Sequence, residues 1–195
     1  MKLIFKLATC VVFLLSVAVN YTNAQSNVNN SGGQAITASN QGLPAEWSGI
    51  WKGNLTVVSS NGKKENLAME LHVGDVSAGV KTWRILYGAG ANQTVRPYVI
   101  MPVAGEANRF VVDEKNGLFI DNQLVGSLLF SQFKVTTNLV TTRFELAGNE
   151  IKVEMTMFDL NTPRQSKLTG GNVEVASYRF RSVQSGVLRR EQKSK

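Results

Sequence analysis

From Trp47 onward, apolar residues alternate with polar ones in short runs separated by turn chemistry, the pattern that a half-buried β-strand imposes. Trp51, Leu55 and Val57 fall on one parity of a first strand, together with Gly53. Ser59-Ser60-Asn61-Gly62 then turns the chain, because Asn and Gly both tolerate positive φ. The returning strand sets Leu67, Met69, Leu71 and Val73 against Ala68, Glu70 and His72. After a break over residues 74–79, Trp83, Ile85 and Tyr87 align on one face of the next strand, alternating with Thr82 and Arg84. Residues 96–103 read as a fourth strand, in which Pro97 and Pro102 remove ladder donors and belong at strand ends or bulges. Residues 109–113 make a fifth, closed by Asn116-Gly117, and residues 118–120 a short sixth.

Further along, Leu124, Leu128 and Phe130 share a parity that Phe133 and Val135 break, which predicts a β-bulge around Ser131-Gln132. Residues 139–146, 151–158 and 173–181 complete the set of candidate strands. Residues 159–172, with Pro163, Arg164 and Gly170-Gly171, form the longest connection and are expected to be a loop covering the barrel mouth. No segment after residue 24 carries a 3.6-residue apolar period over a helix-length window. Hairpin-length connections make neighbouring strands antiparallel. The expected fold class is therefore all-β, an antiparallel up-and-down barrel of about 8–10 strands, since a meander closes readily on itself and removes its edges.

The ends have a different composition. Lys2 and Lys6 precede an apolar run from Leu7 to Val19, and Thr22-Asn23-Ala24 offers the small residues of a cleavage site. Residues 1–24 thus read as a signal peptide cleaved after Ala24, which gives a secreted or periplasmic protein. The apolar run is too short to span a bilayer, so no transmembrane span is expected. Cys10, the one cysteine, leaves with the signal, so no disulfide or thiolate site is expected. Residues 25–45 are polar and read as a disordered linker, residues 46–188 as the barrel domain, and residues 189–195 as a basic disordered tail. Two of the 21 Lys and Arg residues and none of the 14 acids fall in the signal, which leaves a net charge of +5, with +3 of it in the tail. That tail is the expected point of weak contact with an anionic surface, and no nucleic-acid partner is expected.

Little chemistry stands out. His72 is the only histidine and lies on an outward parity, so neither a histidine-pair metal site nor a Ser-His-Asp triad can be assembled. Asp113-Glu114 adjoins a turn and reads as a pair of solvated turn acids. Gly88-Ala89-Gly90 lacks the spacing of a phosphate loop. No catalytic residue, metal or cofactor is expected.

Gly49-Ile50-Trp51 opens the first strand, and Tyr178-Arg179-Phe180-Arg181 ends the last. These residues resemble the calycin superfamily, the lipocalins and their ten-stranded fatty-acid-binding relatives, and the whole pattern is similar to secreted bacterial lipocalin-like proteins. The resemblance implies a barrel in which a Gly-x-Trp opens strand one and a basic residue from the barrel's end packs across the Trp ring. Gly49 and Trp51 would form that closure, with Arg179 or Arg181 stacked as a cation–π partner. Trp51 becomes the keystone of the fold, and Trp47, nearer the linker, is expected to matter much less.

On this basis the expected function is non-enzymatic: a small lipophilic molecule held inside the barrel. Trp83, Tyr87 and Met155 would contact its apolar body, and Arg84 or Arg143 would meet a polar group on it, although parity alone places both arginines on the exterior. Two alternatives stand beside this. One is a cell-envelope structural or protein-interaction module whose barrel is filled by its own side chains, drawn from nine Phe and three Trp. The other is an enzyme relying on one interior acid or on Tyr87, Tyr98 or Tyr178.

Overall fold

A computed structural model describes residues 42–192. The strands are β1 Gly49–Ser59, β2 Lys64–Val73, β3 Asp75–Ser77, β4 Val80–Tyr87, β5 Thr94–Pro102, β6 Arg109–Asp113, β7 Phe119–Val125, β8 Leu128–Val135, β9 Asn138–Ala147, β10 Glu150–Lys167 and β11 Glu174–Arg190. They form one sheet in the order β2-β1-β11-β10-β9-β8-β7-β6-β5-β4-β3. β2 also pairs with β4, Met69 opposite Tyr87 and His72 opposite Arg84. That pairing closes ten strands into an antiparallel, calycin-like barrel, with β3 continuing β2 along the same edge of β4. The expected signal peptide and nearly all of the expected linker lie outside the described residues.

Alternation decides what fills the barrel. Trp51, Leu55 and Val57 of β1, Met69, Leu71 and Val73 of β2, and Ile151 and Val153 of β10 are all buried, while the intervening positions face out. Pro97 sits opposite Arg84 in the body of β5. It is tolerated there because β6 pairs with β5 only from Val99 onward, so one side of the strand at Pro97 has no ladder to break.

Two expectations about local structure are corrected. β8 pairs with β9 in unbroken register from Leu128 to Val135, so there is no bulge at Ser131-Gln132. The parity change arises instead at a tight turn between β7 and β8, where Gly126 has φ 60°. Leu128 and Phe130 therefore belong to a new strand, whose buried positions are Leu129 and Ser131. Residues 159–172 are likewise not one long loop: β10 runs on to Lys167 and pairs with β11 from Glu174 as a two-stranded ribbon, with a register shift between Asp159 and Arg164, and only residues 168–173 turn the chain.

The core is concentrated at the end of the barrel where β1 begins. Trp47, in a 3-10 turn spanning Ala45–Trp47, is fully buried, and so is Trp51, whose indole N–H donates to the Trp47 carbonyl at 2.9 Å. Trp47 packs on Trp83 with ring centroids 6.2 Å apart, and Trp83 meets Phe144 edge-on at 5.2 Å. The expectation that Trp47 contributes little does not survive this packing, because the segment before β1 folds back as a plug. Leu43, assigned above to the linker, is buried in the same cluster.

The cation over Trp51 is Arg190, with its guanidinium carbon 3.9 Å from the ring centroid. Its Nη2 donates to the Glu46 carbonyl at 2.6 Å, and its Nη1 donates to the Ser48 carbonyl. Arg179 and Arg181 are not the closing residues. Arg179 pairs in register with Asp159, and Arg181 forms an ion pair with Asp159 at 2.6 Å, both at the far end of β11. Gly49, with φ 149°, is required here, since a Cβ would stand 2.8 Å from Nη1 of Arg190. The tail boundary moves accordingly: Arg189 and Arg190 belong to β11, and Arg189 pairs with Glu150 at 3.0 Å.

Candidate functional site

The opposite half of the barrel is lined differently. On β5, Arg96 and Tyr98 share the inward parity of buried Ile100. On β4, Tyr87 follows Trp83 and Ile85 on the same face. Glu114, one residue past β6, continues the inward parity of Phe110 and Val112 and is itself buried. These four side chains act on one another electrostatically: Arg96 stabilises the charged forms of Tyr87, Tyr98 and Glu114, and Tyr98 interacts with the Glu114 carboxyl. Asn116 supports the carboxyl from the turn, its Nδ2 lying 3.3 Å from Oε2 of Glu114.

Burial sets the protonation preferences of this group. Desolvation pushes the Tyr87 hydroxyl up to about 12, against the pull of Arg96. It raises Tyr98 further, with the Glu114 charge adding to the effect. Glu114 is also raised, because desolvation outweighs its contacts with Asn116, Tyr98 and Arg96. Both tyrosines are thus kept as neutral hydroxyls that donate and accept hydrogen bonds. Glu114 was expected to be a solvated turn acid. The structure turns it inward instead, leaving Asp113 to bond Lys115 on the outside.

Two buried polar atoms in the described residues have no hydrogen-bond partner, Nε of Arg96 and Oδ1 of Asn138. Asn138 begins β9 on the parity of Thr142 and buried Phe144, at the same end of the barrel as Arg96. Buried donors and acceptors are paired in the great majority of cases, so an unpaired guanidinium Nε facing the interior is a position that a ligand acceptor would complete. Nearby polar groups are satisfied: Ser131 and Thr142 bond each other at 2.7 Å, and Asn122 donates to the Ile120 carbonyl at 2.8 Å.

Of the expected ligand contacts, Trp83, Tyr87 and Met155 do lie inside. Trp83 is committed to the aromatic core, whereas the Tyr87 hydroxyl reaches across the lumen to Sδ of Met155 at 3.8 Å. Arg84 and Arg143 are exposed on the outer wall, each following an inward residue by one position. The outward residue His72 bonds Glu70 at 2.8 Å. No cluster of three metal-ligating side chains occurs among the described residues. Also among them, no helix is long and apolar enough to cross a membrane.

No protein-family model matches the chain, and no curated protein matches its sequence. A solved structure of the S-type phycobiliprotein lyase CPES from Guillardia theta has a similar fold, with a TM-score of 0.54 and 6% sequence identity over 77% of this chain and 90% of that one. The likeness is one of fold. It bears on the calycin-like barrel and not on a secreted bacterial subgroup. It also corrects the expectation of a non-enzymatic protein: a barrel of this architecture is a lyase, so a missing triad or metal set is no ground for excluding catalysis.

Proposed function

We propose that the protein binds a small, largely apolar molecule in the half of the barrel opposite the tryptophan plug, with the molecule's polar end held by Arg96, Tyr98 and Glu114. The observation that carries this reading is the Arg96 side chain, whose buried Nε has no acceptor while Tyr87, Tyr98 and Glu114 gather around it. A guanidinium is costly to desolvate unless something accepts from it, so a carboxylate or carbonyl on the ligand is the matching group. Tyr87, Tyr98, Ile120 and Met155, which pack against the core without being fully buried, supply an apolar wall. We also propose that the protein works outside the cytoplasm, on the strength of its N-terminal pattern.

Titration with two fluorescent lipophilic probes, one bearing a carboxylate and one uncharged, tests this. The wild type should take up both saturably, and Arg96→Met should weaken the carboxylate probe by at least about tenfold, as expected for a lost charged hydrogen bond. The uncharged probe should be little affected. Absence of saturable uptake by the wild type would sink the proposal.

The filled-barrel alternative draws support from one observation, the Tyr87–Met155 contact that bridges the lumen between β4 and β10. On that reading the outer wall binds a protein partner, and neither probe enters.

A further inference from the structure

We infer that the ribbon formed by the distal parts of β10 and β11 docks the end of the barrel opposite the Trp51–Arg190 closure onto an anionic lipid bilayer. Pairing of β10 with β9 ends at Asp159 opposite Asn138, and pairing of β11 with β1 ends at Ser182 opposite Ser59. One further backbone hydrogen bond flanks each point, Leu160 N–H to the Thr137 carbonyl and Ser60 N–H to the Arg181 carbonyl, and beyond these the two strands pair with each other up to Lys167 opposite Glu174. At about 3.3 Å per residue they project roughly 20–25 Å past the barrel wall. The ribbon rises from the end away from the Trp51–Arg190 closure, the same end as the Arg96 group.

Leu168, Val173, Val175, Tyr178 and Phe180 are between 40 and 59% exposed. Five large apolar side chains on one slender element mark an interaction site rather than scattered surface residues. Their arrangement selects the partner. Leu168 and Val173 sit at the tip, Val175 points to one face of β11, and Tyr178 and Phe180 point to the other. A folded protein partner would cover one face of the ribbon, whereas a fluid interface surrounds its tip and both faces. Phe180 is held at the base by an edge contact with Phe158, ring centroids 6.4 Å apart. Aromatic rings at that level match the headgroup boundary.

Charge points the same way. Residues 159–181 hold four cations, Arg164, Lys167, Arg179 and Arg181, against two carboxylates, Asp159 and Glu174. Cations interleaved with apolar groups are attracted to an anionic leaflet. The outer edges of the ribbon carry unpaired backbone groups, which forbids entry into the hydrocarbon and limits insertion to the interfacial layer. Docking is measured without any interior ligand, so it stands or falls separately from the binding site proposed above.

A readout local to the ribbon tests it. In the full chain carrying Leu168→Trp, the new indole is exposed while Trp47, Trp51 and Trp83 are buried. Brominated phosphatidylcholine in vesicles containing phosphatidylglycerol should quench the new indole, and vesicles of phosphatidylcholine alone should do so far less. Arg164→Gln with Arg179→Gln should weaken partitioning into the anionic vesicles by roughly fivefold per cation removed. Leu168→Ser with Val173→Ser should reduce it further, with circular dichroism unchanged. No quenching of the indole at position 168 by anionic vesicles would overturn the inference. So would self-association through the ribbon that persists and excludes vesicle binding.

Discussion

Replacing Arg190 by methionine removes three interactions from the closed end while keeping a side chain of similar length. The guanidinium lies 3.9 Å over the Trp51 ring and donates to the carbonyls of Glu46 and Ser48. A cation–π contact of this kind contributes about 0.5–2 kcal/mol. A hydrogen bond from a charged donor contributes about 1.5–3 kcal/mol when buried. Arg190 is only partly buried and the three contacts share one group, so the net loss should be about 2–4 kcal/mol, a substantial part of the roughly 5–15 kcal/mol by which a domain is stable. With a urea dependence near 2 kcal/mol/M, the unfolding midpoint should fall by about 1–2 M. Arg190→Lys should recover less than half of this, because an ammonium cannot present the planar fork to two carbonyls. Arg181→Met, at the other end of the barrel, should shift the midpoint far less, since the Arg181 side chain is about half exposed and has Asp159 as its one ion-pair partner among the described residues. Equal midpoints for Arg190→Met and Arg181→Met would refute the assignment of Arg190 as the closing residue.

Three further outcomes follow from the same structure. Trp47→Ala and Trp51→Ala should each cost about 3–5 kcal/mol, because both indoles are fully buried in one cluster; a Trp47→Ala midpoint close to wild type would show that the plug is not part of the core. Burial raises the pKa of Glu114 in the folded state, so its protonated form contributes stability below the unfolded value that is lost as pH rises through it to the folded value. The stability advantage of Glu114→Gln over wild type should therefore be larger near pH 7 than near pH 4, and the opposite trend in urea midpoints would contradict the inward placement of this carboxyl. Protein recovered from outside the cytoplasm should begin at Gln25, and an intact mass that retains Met1 would refute cleavage after Ala24.

Much of the barrel can be read from alternation because most inward positions in β1, β2, β4 and β10 carry a large apolar residue, Gly53 and Lys81 being among the exceptions. The last strand is harder to read. Its inward positions from Ser182 onward include Gln184 and Gly186, and a Cβ at Gly186 would collide with the Asn54 carbonyl where β11 crosses β1. With Leu188 the one large apolar residue among those inward positions, the alternation is read as ending at Arg181, and the closing cation is misplaced by nine residues. Pro163 and Gly170-Gly171 disguise the ribbon as a loop, although Pro163 falls inside the register shift, where no ladder bond is required of it. The interior polar group was partly legible: Tyr98 and Ile100 fix the inward parity of β5, and Arg96 shares it. Pro97 and Pro102 give β5 the look of a broken strand, and the place of Glu114 beside a turn conceals its inward parity.

The claim that the half of the barrel opposite the tryptophan plug receives a small molecule through Arg96 is tested most directly by native mass spectrometry of protein purified from its own source, wild type beside Arg96→Met. The account predicts a small mass retained by the wild type and released on denaturation, carrying a carboxylate or carbonyl, and lost from the variant while the fold is kept. Wild-type protein that flies as the bare chain, or a bound mass held equally by Arg96→Met, would contradict it.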